Sequence, residues 1–226
     1  MSLKTSEETT LKIPSSATKL LLISACAMGA LIYRIFASYQ LLGFRFLIWN
    51  LILAWIPWII SHYLTKRTWP KPVLGIGMGL WILFLPNAPY MVTDLLHLRP
   101  DVGAPLWVEL MMLFSFGFAG LIIGYSSVQI MENHLLQDVR ERIRKWILAG
   151  LWYAVAYGVY IGRFLRKNSW DILKDPLQLL VDIFAPFIDP YGNKKAILFT
   201  LVFGTILLVG YIVLRHRPKP ASPSDA

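Results

Sequence analysis

Six runs of mostly apolar residues, at about 18–37, 44–63, 73–92, 107–131, 146–165 and 196–214, limit what this chain can fold into. Each is close to the ~20 residues that a helix needs to cross a bilayer's hydrocarbon core. No water reaches that core to hydrogen-bond the backbone, so such runs must be helical. The composition agrees. Charged residues make up 15% of the chain, where a soluble domain carries about 25%. Nine Trp and ten Tyr supply amphipathic rings for two membrane–water interfaces. The expected fold is all-α, a polytopic transmembrane helix bundle with about six spans.

Around this core the sequence divides simply. Residues 1–17 read as a polar N-terminal tail, 18–214 as the membrane-embedded helical domain and 215–226 as a disordered tail with three prolines. Between spans five and six lies LQLLVDIFAPFI, residues 177–188. It is apolar but too short to cross, which suits an interfacial or re-entrant helix. No long internal repeat is visible. The single cysteine, Cys26, excludes an internal disulfide and a thiolate zinc site. The run before Cys26 is too short for a signal-peptide core, so Ile23-Ser24-Ala25-Cys26 reads as a small-residue helix face rather than a lipidation box.

The net charge is +9. No basic reading helix accompanies it, so nucleic acid is not an expected partner and membrane lipid is. With six spans, thirteen Lys and Arg fall on the side holding both termini and nine on the other. The positive-inside rule then places both termini in the cytoplasm, with the protein in the cell inner (plasma) membrane. Six of the nine are Arg163, Arg166, Lys167, Lys174, Lys194 and Lys195, all around the connection between spans five and six. Either a seventh crossing separates them or they serve a site.

The third span ends as FLPNAPYMVTDLLHL, residues 84–98. Pro86 and Pro89 each remove a backbone donor and crowd the carbonyl four residues back. The span is expected to bend or stop there, partly freeing carbonyls near Leu83 to Leu85, with Asn87 as a local partner. Asn87, Tyr90, Asp94 and His97 are spaced three, four and three apart, one face of a continuing helix. The fifth span carries Gly150, Ala154, Gly158 and Gly162 every fourth residue, a ridge that lets a neighbouring backbone come close. Arg163 follows its last glycine. Gly75 and Gly79 give the third span a small face, so a third–fifth contact is expected. Both spans run the same way, which brings Asp94 and Arg163 to the same side.

Three phrases, WNLILAWIPW at 49–58, FLPNAPYMVTDLLHL at 84–98 and GVYIGRFLRKNSWD at 158–171, are specific. Through them the chain, over roughly 25–214, resembles a family of uncharacterised bacterial integral membrane proteins, domain-of-unknown-function family number 1361. The resemblance implies a multi-span membrane protein and carries no established activity, so it assigns no catalytic residue.

The residues themselves leave several readings open. Asn87, Tyr90, Asp94, His97, Arg163, Arg166, Asn168 and Asp171 are the candidate binding residues of an extracytoplasmic polar pocket. Arginine's fork suits a phosphate or carboxylate, and the favoured role is recognition of an anionic small molecule or lipid headgroup. The alternatives are a membrane-embedded enzyme using Asp94 and His97 on a lipid-linked substrate, a transporter, or a structural partner subunit. Arg163 and Arg166 would equally pair with Asp94, Asp171 or Glu109, or reach lipid headgroups. A metal at Asp94 and His97 would need a third ligand from Asp171, Asp182 or Glu109. Arg34 and Arg45 raise the same anion question. Glu109 reads as an acid favoured by its helix dipole, Asn50 as an interhelical hydrogen-bonding group, and Asn168 as a helix terminator. No nucleotide-binding glycine loop, nucleophile elbow or two-histidine zinc helix occurs, so no cofactor and no metal site is expected.

Overall fold

The structure is a computed structural model and describes residues 16–38, 44–98, 104–166 and 176–215. Every regular element among them is helical: α1 Ala17–Ser38, α2 Arg45–Thr65, α3 Lys71–Phe84, α4 Asn87–Tyr90, a 3-10 helix Met91–His97, α5 Leu106–Leu135, α6 Glu141–Phe164, α7 Pro176–Ile188 and α8 Lys194–Leu214. Six segments are long and apolar enough to cross a membrane: α1, α2, α3 continued through His97, α5, α6 and α8. The polar tails expected at 1–17 and 215–226 lie almost wholly outside the described residues.

Helix α5 is the centre of the bundle. One of its faces, with Met112, Leu113, Phe116, Ala119 and Ile123, packs on α1 and α2 through Leu20, Ala27, Leu47, Leu51 and Trp58. The other, with Tyr125, Val128 and Met131, meets Trp81 of α3, Trp152 and Val155 of α6, and Leu207 and Tyr211 of α8. A helix apolar all round belongs inside a bundle. Its 30 residues span about 45 Å at 1.5 Å per residue, more than a hydrocarbon core of about 30 Å. Its two ends therefore reach both interfaces.

The prolines divide the third span as their chemistry requires. α3 stops at Phe84, one turn of α4 follows, and the chain tightens to 3-10 pitch from Met91 to His97. Pro89 lacks the N–H that would serve Leu85, and Ala88 N–H reaches that carbonyl instead at 3.2 Å. The Phe84 carbonyl, left over, accepts from Asn87 Nδ2 at 2.9 Å. Asn87 thus satisfies its own segment's backbone.

This segment lies against a glycine face of α5. A methyl group added at Gly120 would collide with the Ala88 carbonyl oxygen and Met91 Sδ, and one at Gly124 would meet Ala88 Cβ at 2.9 Å. Gly117 faces the Val92 backbone at 3.2 Å. The ridge on α6 is used differently from expectation. Gly158 does take Pro86, at 2.5 Å from an added methyl, which makes the expected third–fifth contact. Gly150 has nothing within 4 Å, and Ala154 is exposed. Gly75 and Gly79 are also uncovered. α6 packs instead along α8, with Tyr153 seated on Gly204. A four-residue period shows which residues share a face, but it does not identify the helix that covers them.

α7 is 13 residues long and does not span. Leu177, Val181, Phe184 and Ile188, four, three and four apart, form an exposed apolar stripe. Tyr157 donates to the Ile183 carbonyl at 2.8 Å. Tyr157 lies two helical turns inside the end of α6, so α7 lies alongside the bundle there.

Candidate functional site

The segment after Pro89 places Asp94 at the meeting of three spans. Its side chain is fully buried. Oδ1 pairs with Arg163 Nη2 from α6, and Oδ2 accepts from Asn50 Nδ2 of α2 at 3.2 Å. Arg163 also donates from Nε to Thr93 Oγ1 at 2.8 Å, and its Nη1 lies 3.4 Å from His97 Nδ1. Its guanidinium sits over the Tyr90 ring, 4.4 Å from the centroid. His97 is 45% exposed, 3.9 Å from Asp94 Oδ1, with its ring against Phe46.

Of the eight residues singled out in the sequence, Tyr90, Asp94, His97 and Arg163 converge. The 3-10 pitch is the reason, because residues three apart eclipse one another in it, which stacks His97 over Asp94. Asn87 belongs to the same segment but turns back to Phe84. Arg166 is exposed beyond the end of α6, with φ 56°. The left-handed residue that stops this helix is Arg166, where the sequence pointed to Asn168. Asn168 and Asp171 lie outside the described residues. Thr93 was missed in the sequence, since it leaves the expected stripe until the helix tightens.

All three kinds of Arg163 nitrogen are thus engaged by the protein, and its charge is balanced by Asp94. It anchors two spans to each other and is not an open anion clamp. No third His, Cys, Asp or Glu joins Asp94 and His97 among the described residues.

Two further buried carboxylates have arginine partners. Glu109, at the start of α5, pairs with Arg34 of α1 at 3.1 Å, each side chain 1% exposed. Arg34 also stacks on Phe44, 4.3 Å from the ring centroid. The dipole reading of Glu109 was therefore incomplete, and Arg34 is a buried pair member, not a headgroup contact. At the other end of α5, Glu132 accepts from the Tyr211 hydroxyl at Oε2 and from Arg215 Nη1 at 3.1 Å at Oε1. Arg144 Nε lies 3.7 Å from the same Oε1. The two glutamates are 23 residues apart on one helix, or about 34 Å, close to the ~30 Å thickness of a hydrocarbon core. Glu132 directly follows the fourth apolar run, and nothing next to it in the sequence marks Arg144 or Arg215 as a partner.

A groove of about 470 Å³ opens between α6 and α8 at the end that carries Arg163. Tyr160, Phe164, Leu198, Phe199, Val202 and Phe203 line it, with Lys195 its one charged residue.

Six long apolar helices, five of them gathered around α5 and tied at their ends by charged pairs, define a multi-pass integral membrane protein. Within that class, a family model described as Protein of unknown function (DUF1361) matches residues 49–209, and the chain belongs to that family. No curated protein and no solved structure matches the chain.

Proposed function

We propose that the protein recognises a membrane lipid with an anionic headgroup at the end of the bundle opposite the start of α1 and the end of α8. The observation that carries this reading is the α6–α8 groove, apolar along its length with Lys195 in its lining. Its volume lies within the range of roughly 300–1,000 Å³ typical of ligand pockets. An acyl or isoprenoid chain suits such a lining, and a lysine stem lies along apolar surface while its ammonium reaches a headgroup.

The polar residues at the same end of the bundle divide the work. The Asp94–Arg163 pair fixes the end of the third span against α6. Arg166 and His97, both exposed, remain to meet a headgroup with Lys195. Arg166 holds a left-handed conformation that costs a non-glycine residue roughly 1–2 kcal/mol. Strain of this kind concentrates at functional positions. Half-exposed His97, close to a buried carboxylate, supports a second reading in which it moves a proton on the bound headgroup.

Mass spectrometry of lipids retained by the purified protein tests the proposal. Wild type is expected to retain an anionic species above its share of the membrane lipid. Val202→Trp, which fills the groove, and Lys195→Gln should each lose that enrichment. Retention of bulk lipid proportions by wild type, or of a soluble anion alone, overturns it.

A further inference from the structure

At the end of the bundle where α1 begins and α8 ends, Glu132 is the one carboxylate among the described residues paired with two arginines, Arg144 of α6 and Arg215 following α8. Arg215 takes Oε1 and the Tyr211 hydroxyl takes Oε2. Arg144 approaches Oε1 only to 3.7 Å, and its Nε is buried with no hydrogen-bond acceptor among the described residues. Its side chain is just 18% exposed. A guanidinium so far withdrawn from water normally finds acceptors, and here one carboxylate is shared between two cations.

The surroundings do not supply the missing anion. Residues 132–145 with Arg215 include five basic residues against three acids. One of those acids, Glu141, is 3.4 Å from Lys145, and Asp138 is exposed. Arg140, the residue before α6, makes no side-chain cap, so the first-turn amides of α6 have no side-chain acceptor from it. Helix side chains lean toward the N-terminus, which directs Arg144 toward this uncapped end. Two guanidiniums, a net positive charge and a helix N-terminus gather where α5, α6 and α8 meet.

We propose that this cluster is a phosphate-binding site, with Arg144 as its principal ligand and Arg215, held by Glu132, beside it. A phosphate oxygen supplies the acceptor that Arg144 lacks, and a guanidinium fork fits it in bidentate fashion. Basic pockets between spans at this level suit a lipid phosphate, and free phosphate offers the same oxygens. The site is at the opposite end of the bundle from the groove and does not depend on it.

The test is native mass spectrometry of the delipidated full chain with phosphatidic acid, phosphatidylcholine of equal chain length, and inorganic phosphate. Wild type is expected to prefer phosphatidic acid over phosphatidylcholine by on the order of tenfold, the worth of one charge-assisted pair. Arg144→Gln should abolish the preference, and Arg142→Gln, an equal charge change at an exposed neighbour, should keep it. Inorganic phosphate competing at millimolar concentration assigns the site to free phosphate; lipid binding without such competition assigns it to a headgroup. Absence of both kinds of binding overturns the proposal, as does equal binding by wild type and Arg144→Gln, or equal loss in Arg142→Gln and Arg144→Gln. Should Arg144→Gln fail to fold, Arg144→Lys decides. It keeps the charge without the fork, so a loss of about threefold or more supports the site and undiminished binding overturns it.

Discussion

Asp94 and Glu132 are both buried carboxylates held by arginine from other spans, yet they sit in opposite electrostatic situations. Asp94 meets one arginine, and each nitrogen of that arginine has a partner, Thr93 at Nε and His97 beside Nη1. Glu132 meets two, and one of them, Arg144, keeps a buried Nε without an acceptor among the described residues. The first arrangement is neutral and closed, so it fixes helices. The second carries excess charge with an unmet donor, which leaves it open to something from outside the chain. The presence of an ion pair alone does not separate the two roles. The balance of charge, and a buried nitrogen left without an acceptor, do.

The largest effect should come from breaking the closed end. Asp94→Ala leaves Arg163 unpaired in a nearly dry site, and removing one member of a buried pair costs about 3–5 kcal/mol. Thermal unfolding in detergent should register it. Combining Asp94→Asn with Arg163→Gln should cost less than the sum of the single changes, because the two contact one another. Additive losses would show that the pair does not hold the helices.

A smaller loss is expected at the glycine face under that end. Gly120→Ala forces a methyl group against the Ala88 carbonyl, and overpacking of this kind costs about 1–3 kcal/mol. Gly150→Ala, in open space on α6, should be neutral or stabilising by up to about 1 kcal/mol. Equal responses at the two glycines would contradict the packing described. The smallest effect belongs to the open end: Arg144→Gln leaves Arg215 and Tyr211 on Glu132, so delipidated protein should lose less than about 1 kcal/mol. A loss as large as that of Asp94→Ala would erase the distinction between the ends.

How far the sequence could be read follows from the same physics. Six crossings were legible because a bilayer permits few structures for an apolar run. The stop at Pro86 was legible because proline's missing donor acts locally, and Asn87 bonding to Phe84 belongs to that logic. Asp94 and Arg163 could be brought together because an even number of turns returns the chain to the same side. Asn50 was legible as a polar group that needed a partner. The role of Thr93 was not, since it depends on a change of helical pitch. Nor was the choice of Gly117, Gly120 and Gly124 over the regular ridge on α6, because which neighbour covers a face is a property of the whole bundle. Lys167, Asn168 and Asp171 lie outside the described residues and remain expectations from the sequence.

The partition of the third span by Pro86 and Pro89 also bears on the order in which the protein is made. Asp94 and Arg163 are 69 residues apart in the chain. At roughly 5–20 residues per second, about 3–14 s separate their synthesis. During that interval α3 can insert as an apolar helix, but the piece beyond Pro86 has an acid whose arginine partner, Arg163, is not yet made. That piece must wait at the interface, with Asn50 already made and Arg163 still to come. The third crossing is then expected to be completed in two instalments, the second once the fifth arrives. Ribosome-bound chains ending before Arg163 should leave Asp94 open to aqueous labelling that the full chain resists.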